Sequence, residues 1–112
     1  MSFTIYKIYL KDNPELFYIG STKNLTQRKY SHKSYIKNSH LSTSKLYETI
    51  RCNGGYDNIV FEKLQDYHYT FNKENHKKEQ EYIEEIWIRH LQPTLNQRPI
   101  TSWKEDIIYK RF

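Results

Sequence analysis

Apolar and polar side chains alternate along residues 3–10, and most of the apolar ones are aromatic or β-branched. Such alternation is typical of a β-strand. Residues 11–14 read Lys-Asp-Asn-Pro, which is typical of a turn, and residues 16–20 form a second short apolar stretch. The pattern therefore predicts a hairpin of two strands joined by a fairly long loop.

Two helices are predicted after the hairpin. The first follows polar capping residues at 22–24 and runs to about residue 38. The second covers residues 45–52, is capped by Thr43 or Ser44, and ends at the glycines that begin with Gly54. Helical spacing places five side chains on the inner face of the first helix: Leu25, Arg28, His32, Tyr35 and Ile36.

A third strand and a third helix complete the pattern. Residues 58–64 predict the strand, residues 67–75 are irregular, and the helix extends from about 75 to 91, where Pro93 ends it. Five side chains of this helix follow the spacing of an inner face: Ile83, Ile86, Trp87, His90 and Leu91. We expect His90 to be a core histidine with its hydrogen bonds satisfied rather than a ligand.

The order of the elements predicts an α+β fold. It is β-β-α-α-β-α plus a short C-terminal helix, which indicates a small antiparallel three-stranded sheet with helices packed on it. We expect residues 1–96 to form one domain. Residues 97–112 are predicted to be a basic tail that packs on this domain or trails from it, and solvated charge is the simpler reading of that tail.

Composition and charge narrow the class of partner. The chain has 18 Lys and Arg against 13 Asp and Glu, a formal net charge of +5, which favours an anionic partner such as nucleic acid. Its 11 tyrosines can pack in a core, stack on bases or donate to phosphates. Cys52 is the only cysteine, so no disulfide forms within the chain. With no recognisable signal peptide or membrane span, we expect an intracellular protein without a membrane partner.

Arg28 and His32 are unusual members of an inner helix face. Arginine presents a fork that matches phosphate oxygens, and histidine can relay a proton near neutral pH. A solvated basic face is the simpler alternative for such a pair taken alone. However, burying Arg28 without a partner would cost several kcal/mol, so its position in the stripe predicts a partner or a cleft.

Glu84 lies at the edge of the apolar stripe of the third helix. A lone carboxylate there could hold a hard cation such as Mg²⁺, which keeps several waters and often takes only one or two protein carboxylates. It could equally be a flanking charge that reaches solvent. The helix pattern does not separate it from the other three glutamates nearby, which are Glu79, Glu81 and Glu85.

The motifs of this chain resemble those of the GIY-YIG nuclease superfamily, and the resemblance extends over nearly the whole sequence. It resembles in particular small standalone members, including those of large DNA viruses and those near homing endonucleases. Thr4 stands where the first motif of the family has glycine, and we expect the fold to be kept because threonine is a good strand former. The motif blocks are Thr4-Ile5-Tyr6, Tyr18-Ile19-Gly20-Ser21-Thr22, Arg28 with His32, Ser39-His40, Lys45-Leu46-Tyr47, Asn53-Gly54-Gly55, Glu84-Glu85-Ile86-Trp87-Ile88, Pro93 and Asn96.

The resemblance implies a metal-dependent DNA endonuclease. Glu84 would hold one Mg²⁺ or Mn²⁺ ion. Tyr6 would be the general base that takes a proton from the attacking water, which requires a site that favours the phenolate, and His32 would be a proton acceptor. Tyr18 would position the water or a phosphate oxygen, and Arg28 would bind the scissile phosphate.

The same resemblance implies supporting roles for four further residues. His40 and Lys45 would contact the DNA backbone. Gly20 and Asn96 would support the site structurally. The protein would act on DNA, with a separate specificity partner or as a homodimer.

Two other classes of function remain open from the sequence. The chain could be a non-catalytic nucleic-acid-binding module that keeps a basic cleft. It could also be a basic scaffold that binds another protein through its tyrosines. The endonuclease and the non-catalytic binding module both predict DNA affinity that falls steeply with salt, whereas the scaffold does not.

Overall fold

The computed structural model describes residues 1–38 and 44–96. The predictions for His40 and for the basic tail at 97–112 lie outside these residues. Short 3₁₀ turns at Gly55–Asn58 and Lys73–Asn75 connect the longer elements. The six main elements are β1 (Ser2–Leu10), β2 (Phe17–Thr22), α1 (Leu25–Lys37), α2 (Lys45–Cys52), β3 (Ile59–His68) and α3 (His76–Leu91). The predicted α+β fold and the order β-β-α-α-β-α are confirmed, and the predicted short C-terminal helix lies outside the described residues.

The three strands form one antiparallel sheet in the order β2-β1-β3, so β1 lies in the centre. The pairing of β1 with β3 shifts by one residue, because Ile5 pairs with Gln65 and Tyr6 pairs with Lys63. Leu64 is therefore an extra residue on β3, which makes a bulge beside Tyr6. Bulges bend a strand locally and often occur next to active sites.

Helices cover both faces of the sheet, which explains why β1 has buried side chains on each of its two faces. Tyr6, Ile8 and Leu10 point to one face, where they pack with residues of α1 and α2 such as Ile36 and Ile50. The opposite face of β1 carries Phe3 and Ile5, which pack together with Ile19 of β2 and with three residues of α3: Ile83, Trp87 and Ile88.

Helix α1 begins where Asn24 accepts a hydrogen bond from the Gln27 amide, as expected of an N-cap. His32 and Ile36 are buried, at 3% and 4% exposed. Arg28, by contrast, is exposed, so its predicted place on the buried face is wrong. Burying an unpaired guanidinium is too costly, so α1 exposes Arg28 and buries His32, one turn later.

Helix α2 covers the predicted residues, and Ser44 caps it by accepting a hydrogen bond from the Tyr47 amide. The third strand, however, continues four residues beyond its predicted end. Its C-terminal half pairs with the start of β1, up to Ser2 opposite His68. This half carries exposed polar residues at the sheet edge, which hide the strand pattern in the sequence. Thr4, in the position of the motif glycine, donates a hydrogen bond to Asp66 at 2.6 Å.

The inner face of α3 differs from the predicted stripe. Ile86 is 47% exposed, and Leu91 and His90 are also exposed, so the assignment of His90 to the core is wrong. His76 and Glu79 are buried instead. The first turn of α3 packs on the segment that follows β3, where hydrogen bonds to Glu79 compensate for its burial. Among the described residues, no helix is long and apolar enough to cross a membrane.

Candidate active site

A buried hydrogen-bonded pair, Tyr6 and His32, lies between the central strand and α1. The Tyr6 hydroxyl is 2.8 Å from Nε2 of His32, and Tyr6 is only 1% exposed. The other ring nitrogen, Nδ1, is 2.8 Å from the hydroxyl of Tyr47 on α2. Three elements that are distant in sequence therefore meet at one imidazole.

His32 is neutral at physiological pH. Burial, and after it the positive charge of Arg28, lowers the pKa of His32 from 6.5 to about 4. A neutral imidazole has one donor and one acceptor nitrogen. When Tyr6 donates its proton to Nε2, Nδ1–H donates to Tyr47, and both contacts are satisfied.

Tyr18 adds a second phenol to the pocket. Its ring centroid lies 6.3 Å from that of Tyr6 and 6.1 Å from that of His32. Burial, and then the charge of Glu84, raises the pKa of Tyr18 to about 12. Burial also raises the pKa of Tyr6 above its usual value, although the charge of Arg28 acts in the opposite direction. The chain alone therefore keeps both phenols protonated, whereas the implied base requires a site that favours the phenolate.

Gly20 permits the two phenols to approach the backbone of β2. It pairs directly with Tyr6 across the sheet. A Cβ atom at this position would lie 2.6 Å from Cζ and Oη of Tyr6 and 2.8 Å from Cε2 of Tyr18. No side chain fits in that space unless both rings move.

Glu84 enters the pocket region from α3. Its Oε1 accepts a hydrogen bond from the hydroxyl of Ser21 on β2, and Gln80 Nε2 donates to the same hydroxyl at 2.9 Å. The pKa values of Tyr6 and Tyr18 are raised mainly by burial, and the charge of half-buried Glu84 raises both further. Glu84 is therefore close enough to act electrostatically on both phenols.

The other three glutamates of α3 have different surroundings. Glu79 is buried, and the segment after β3 donates hydrogen bonds to both of its carboxylate oxygens. Glu85 is also buried, and Glu81 is exposed. Only Glu84 combines partial exposure with an electrostatic effect on Tyr6 and Tyr18.

Arg28 is an exposed residue of α1, one turn before His32. Its charge lowers the pKa of Tyr6 against the larger effect of burial, and it adds to the effect of burial on His32. The guanidinium is therefore near the phenols but in contact with solvent. The charge of Arg28 therefore acts on the site from an exposed position, without the cost of burying a guanidinium.

Asn96 supports β2 from its outer edge. Its Oδ1 accepts a hydrogen bond from the Ile19 amide at 3.0 Å, and its Nδ2 donates to the Ile19 carbonyl at 2.9 Å. Leu95 also donates its amide to the Phe17 carbonyl. Ile19 lies between Tyr18 and Gly20, so these bonds fix the segment that carries both.

Sequence reasoning gave no role to three residues that contact the site. Tyr47 bonds to His32, and Ser21 and Gln80 bond near Glu84. Tyr47 and Ser21 lie inside motif blocks, so the sequence contained a signal for both. No feature of the sequence distinguishes Gln80. Lys45 is exposed at the start of α2, and the predicted contact of His40 lies outside the described residues.

In a comparison with protein-family models, residues 2–97 match the GIY-YIG catalytic domain. This chain belongs to the GIY-YIG nuclease superfamily. The GIY-YIG nucleases are endonucleases that hydrolyse phosphodiester bonds in DNA and generally use divalent metal ions. Searches of curated proteins and of solved structures give no significant match.

The residues of this GIY-YIG domain fit a hard divalent ion that keeps most of its water shell. In residues 1–38 and 44–96, no three His, Cys, Asp or Glu side chains gather as a metal cluster. A closed zinc site of four protein ligands is therefore not formed there. A single half-buried carboxylate such as Glu84 suits Mg²⁺ or Mn²⁺, which bind through oxygen and retain waters.

Replacing Gly20 by alanine should disrupt this GIY-YIG site. The new methyl group would displace the rings of Tyr6 and Tyr18, so we expect a free energy of unfolding about 1–3 kcal/mol lower. A displacement of about 1 Å should slow DNA cleavage by about 10²-fold. Urea unfolding and a plasmid cleavage assay measure the two effects.

The matched control is Gly55→Ala. Gly55 has a φ of 75°, and a methyl group added there would have no atom within 4 Å, so alanine is strained without touching the tyrosines. It should lower stability by about 1 kcal/mol and leave cleavage unchanged. Equal losses of activity in the two variants would mean that Gly20 acts only through global stability.

The depressed pKa of His32 predicts a pH-dependent stability. Between pH 6.5 and about 4, the unfolded imidazole is protonated while the folded one is not. Stability is therefore fully present above about pH 6.5 and is lost as the pH falls towards 4. The pKa difference corresponds to about 3 kcal/mol, which urea unfolding at a series of pH values measures. His32→Gln should remove this dependence, whereas substitution of the exposed His90 should not.

Proposed function

We propose that this chain is a DNA endonuclease that hydrolyses phosphodiester bonds through one divalent metal ion and a tyrosine base. The observation that carries the proposal is the hydrogen-bonded pair of Tyr6 and His32, which lies beside Tyr18. The charges of Arg28 and Glu84 both act on the phenol of Tyr6. A module that only binds nucleic acid needs cationic contacts, but it needs neither a buried phenol bonded to an imidazole nor a carboxylate near it.

Tyr6 would act as a general base through His32. Burial keeps its phenol protonated in the free protein, so a standing phenolate is unfavourable. Instead, Tyr6 would take a proton from the attacking water while its own proton passes to Nε2 of His32, 2.8 Å away. The bond between Nδ1 of His32 and Tyr47 orients the ring for this transfer.

Arg28 and Tyr18 would bind the substrate. The exposed guanidinium of Arg28 can donate two parallel hydrogen bonds to the scissile phosphate and stabilise the charge that develops on it. Tyr18, kept protonated by a raised pKa, can donate its hydroxyl hydrogen to the water or to a phosphate oxygen.

Glu84 would hold the metal ion, either Mg²⁺ or Mn²⁺. When bound, such an ion polarises the phosphate and stabilises the leaving oxygen. Glu84 contributes one negative charge at a half-buried position, where the Ser21 hydrogen bond fixes one of its oxygens.

The DNA backbone would extend past the start of α2. We propose that Lys45, exposed at that position, and His40 contact its phosphates. A monomer with one such site cuts one strand at a time, so cutting both strands would require a homodimer or two successive visits. A separate partner would supply sequence choice.

A nicking assay on supercoiled plasmid tests this function. With Mg²⁺ or Mn²⁺ we expect the open circular form to appear first, and with EDTA we expect no product. DNA affinity, measured without metal at a series of salt concentrations, should fall steeply as salt rises.

Two other results would overturn the proposal. Salt-sensitive DNA binding with no product in either metal would favour the non-catalytic binding module. The absence of both cleavage and salt-sensitive binding would favour a scaffold that binds another protein.

A further inference from the structure

We infer that Ser21, Gln80 and Tyr69 form a hydrogen-bond chain that orients the Glu84 carboxylate and thereby sets the affinity of the protein for its metal ion. The inference rests on the proposed function of Glu84. The three residues are positioning residues, because they act on the metal through Glu84 and do not touch the substrate.

The hydrogen-bond chain runs from Tyr69, just after β3, to Gln80 of α3 and then to Ser21 of β2. The Tyr69 hydroxyl donates to Oε1 of Gln80 at 2.7 Å, and Nε2 of Gln80 donates to Oγ of Ser21 at 2.9 Å. The Ser21 hydroxyl then donates to Oε1 of Glu84. Each member therefore donates towards the carboxylate.

The direction of these bonds depends on the amide of Gln80. A serine hydroxyl has one hydrogen, and Ser21 can give it to Glu84 only while its own oxygen accepts from Gln80. If the amide were reversed, its oxygen would compete for that hydrogen. The Glu84 carboxylate, which only accepts, selects the orientation that leaves the serine hydrogen for it. The Tyr69 hydroxyl then supplies the donor that the amide oxygen of Gln80 needs in this orientation.

The far end of the chain is held firmly against α3. The Tyr69 ring stacks on that of His76, with centroids 3.9 Å apart and an angle of 8°. The next residues, Thr70 and Phe71, donate backbone hydrogen bonds to Glu79. Tyr69 is therefore fixed on both sides, and its hydroxyl is a rigid starting point.

Such a chain matters most where the metal has one protein ligand. A glutamate side chain has several rotatable bonds, and a site with a single carboxylate has no other side chain to hold the ion in place. Hydrogen-bond partners of metal ligands typically change metal affinity or activity by 10–100-fold. We therefore expect the chain to affect metal affinity more than the rate at saturating metal.

The experiment compares Tyr69→Phe with Tyr67→Phe. Each variant removes one hydroxyl that hydrogen-bonds to a side chain of α3, but the Tyr67 hydroxyl accepts from Trp87 Nε1, whereas the Tyr69 hydroxyl donates to Gln80. Mn²⁺ binding is measured directly by electron paramagnetic resonance, and nicking is measured across a Mn²⁺ titration. Urea unfolding shows whether each variant folds.

Tyr69→Phe should weaken Mn²⁺ binding by about 10-fold and shift the half-saturating Mn²⁺ concentration for nicking by the same factor, with little change in rate at saturation. Tyr67→Phe should bind Mn²⁺ like the wild type. Ser21→Ala should weaken binding further, because it removes the bond to Glu84 itself, and Gln80→Met should lie between the two.

Unchanged Mn²⁺ binding in Tyr69→Phe and Gln80→Met, with an active wild type, would overturn this inference alone. Equal weakening in Tyr67→Phe would also overturn it, because a general loss of packing would then explain the effect. A wild-type chain that neither binds Mn²⁺ nor cuts DNA would overturn the proposed function together with the inference.

Discussion

Replacing Arg28 by alanine should slow plasmid nicking by about 10²–10³-fold and leave the free energy of unfolding within about 0.5 kcal/mol of the wild type. The guanidinium is exposed, so its loss leaves no cavity and no unpaired buried group. Arg28 is proposed to stabilise the transition state, in which negative charge develops on the scissile phosphate, and so to affect the rate of cleavage rather than the fold. Single-turnover nicking and urea unfolding measure the two quantities.

The matched control is Lys37→Ala. Lys37 is another exposed cation of α1, but it lies on the opposite side of the helix from Arg28. It should lower general DNA affinity slightly and leave nicking at saturating DNA unchanged. Nicking by Arg28→Ala at the wild-type rate would refute the assignment of Arg28 to the scissile phosphate.

Glu84→Gln should reduce metal-dependent cleavage by about 10³-fold, because it removes the proposed metal ligand and with it several kcal/mol of stabilisation of the transition state. Glutamine keeps the size of the side chain, and its amide oxygen can still accept from Ser21. The fold should therefore be retained. The measurement is nicking over a range of Mg²⁺ and Mn²⁺ concentrations, together with direct Mn²⁺ binding.

Glu81→Gln provides the comparison for this variant. It changes the same functional group on the same helix, at an exposed position, and should retain both metal binding and cleavage. If Glu84→Gln cut DNA as fast as Glu81→Gln, the metal would have to be held elsewhere.

Local patterns in the sequence predicted most of the fold. Helix α2 begins and ends where its cap and glycines indicate, at Lys45 and Cys52, because these signals act within a few residues. The inner faces of the other helices were predicted less well. Periodicity placed Arg28 and His90 inside, and both are exposed, because the packing partners of a helix, which periodicity does not contain, decide which side is buried.

The candidate site could be predicted only in part. The motif blocks predicted a site that contains Tyr6, His32 and Glu84, but no local pattern indicates the contacts that these residues make. Ser21 and Glu84 are 63 positions apart in sequence, and Tyr47 reaches His32 from another helix. Such contacts depend on how the sheet and helices pack. The same packing buries Tyr6, and burial rather than a nearby charge is the main cause of its raised pKa.

The hydrogen bonds of Asn96 have a consequence beyond the support of β2. As the outer strand of the sheet, β2 has backbone groups that could pair with a strand of another molecule. Asn96 occupies the amide and the carbonyl of Ile19 as a neighbouring strand would, and Leu95 occupies the carbonyl of Phe17. This short segment therefore protects the protein against self-association and aggregation through that edge.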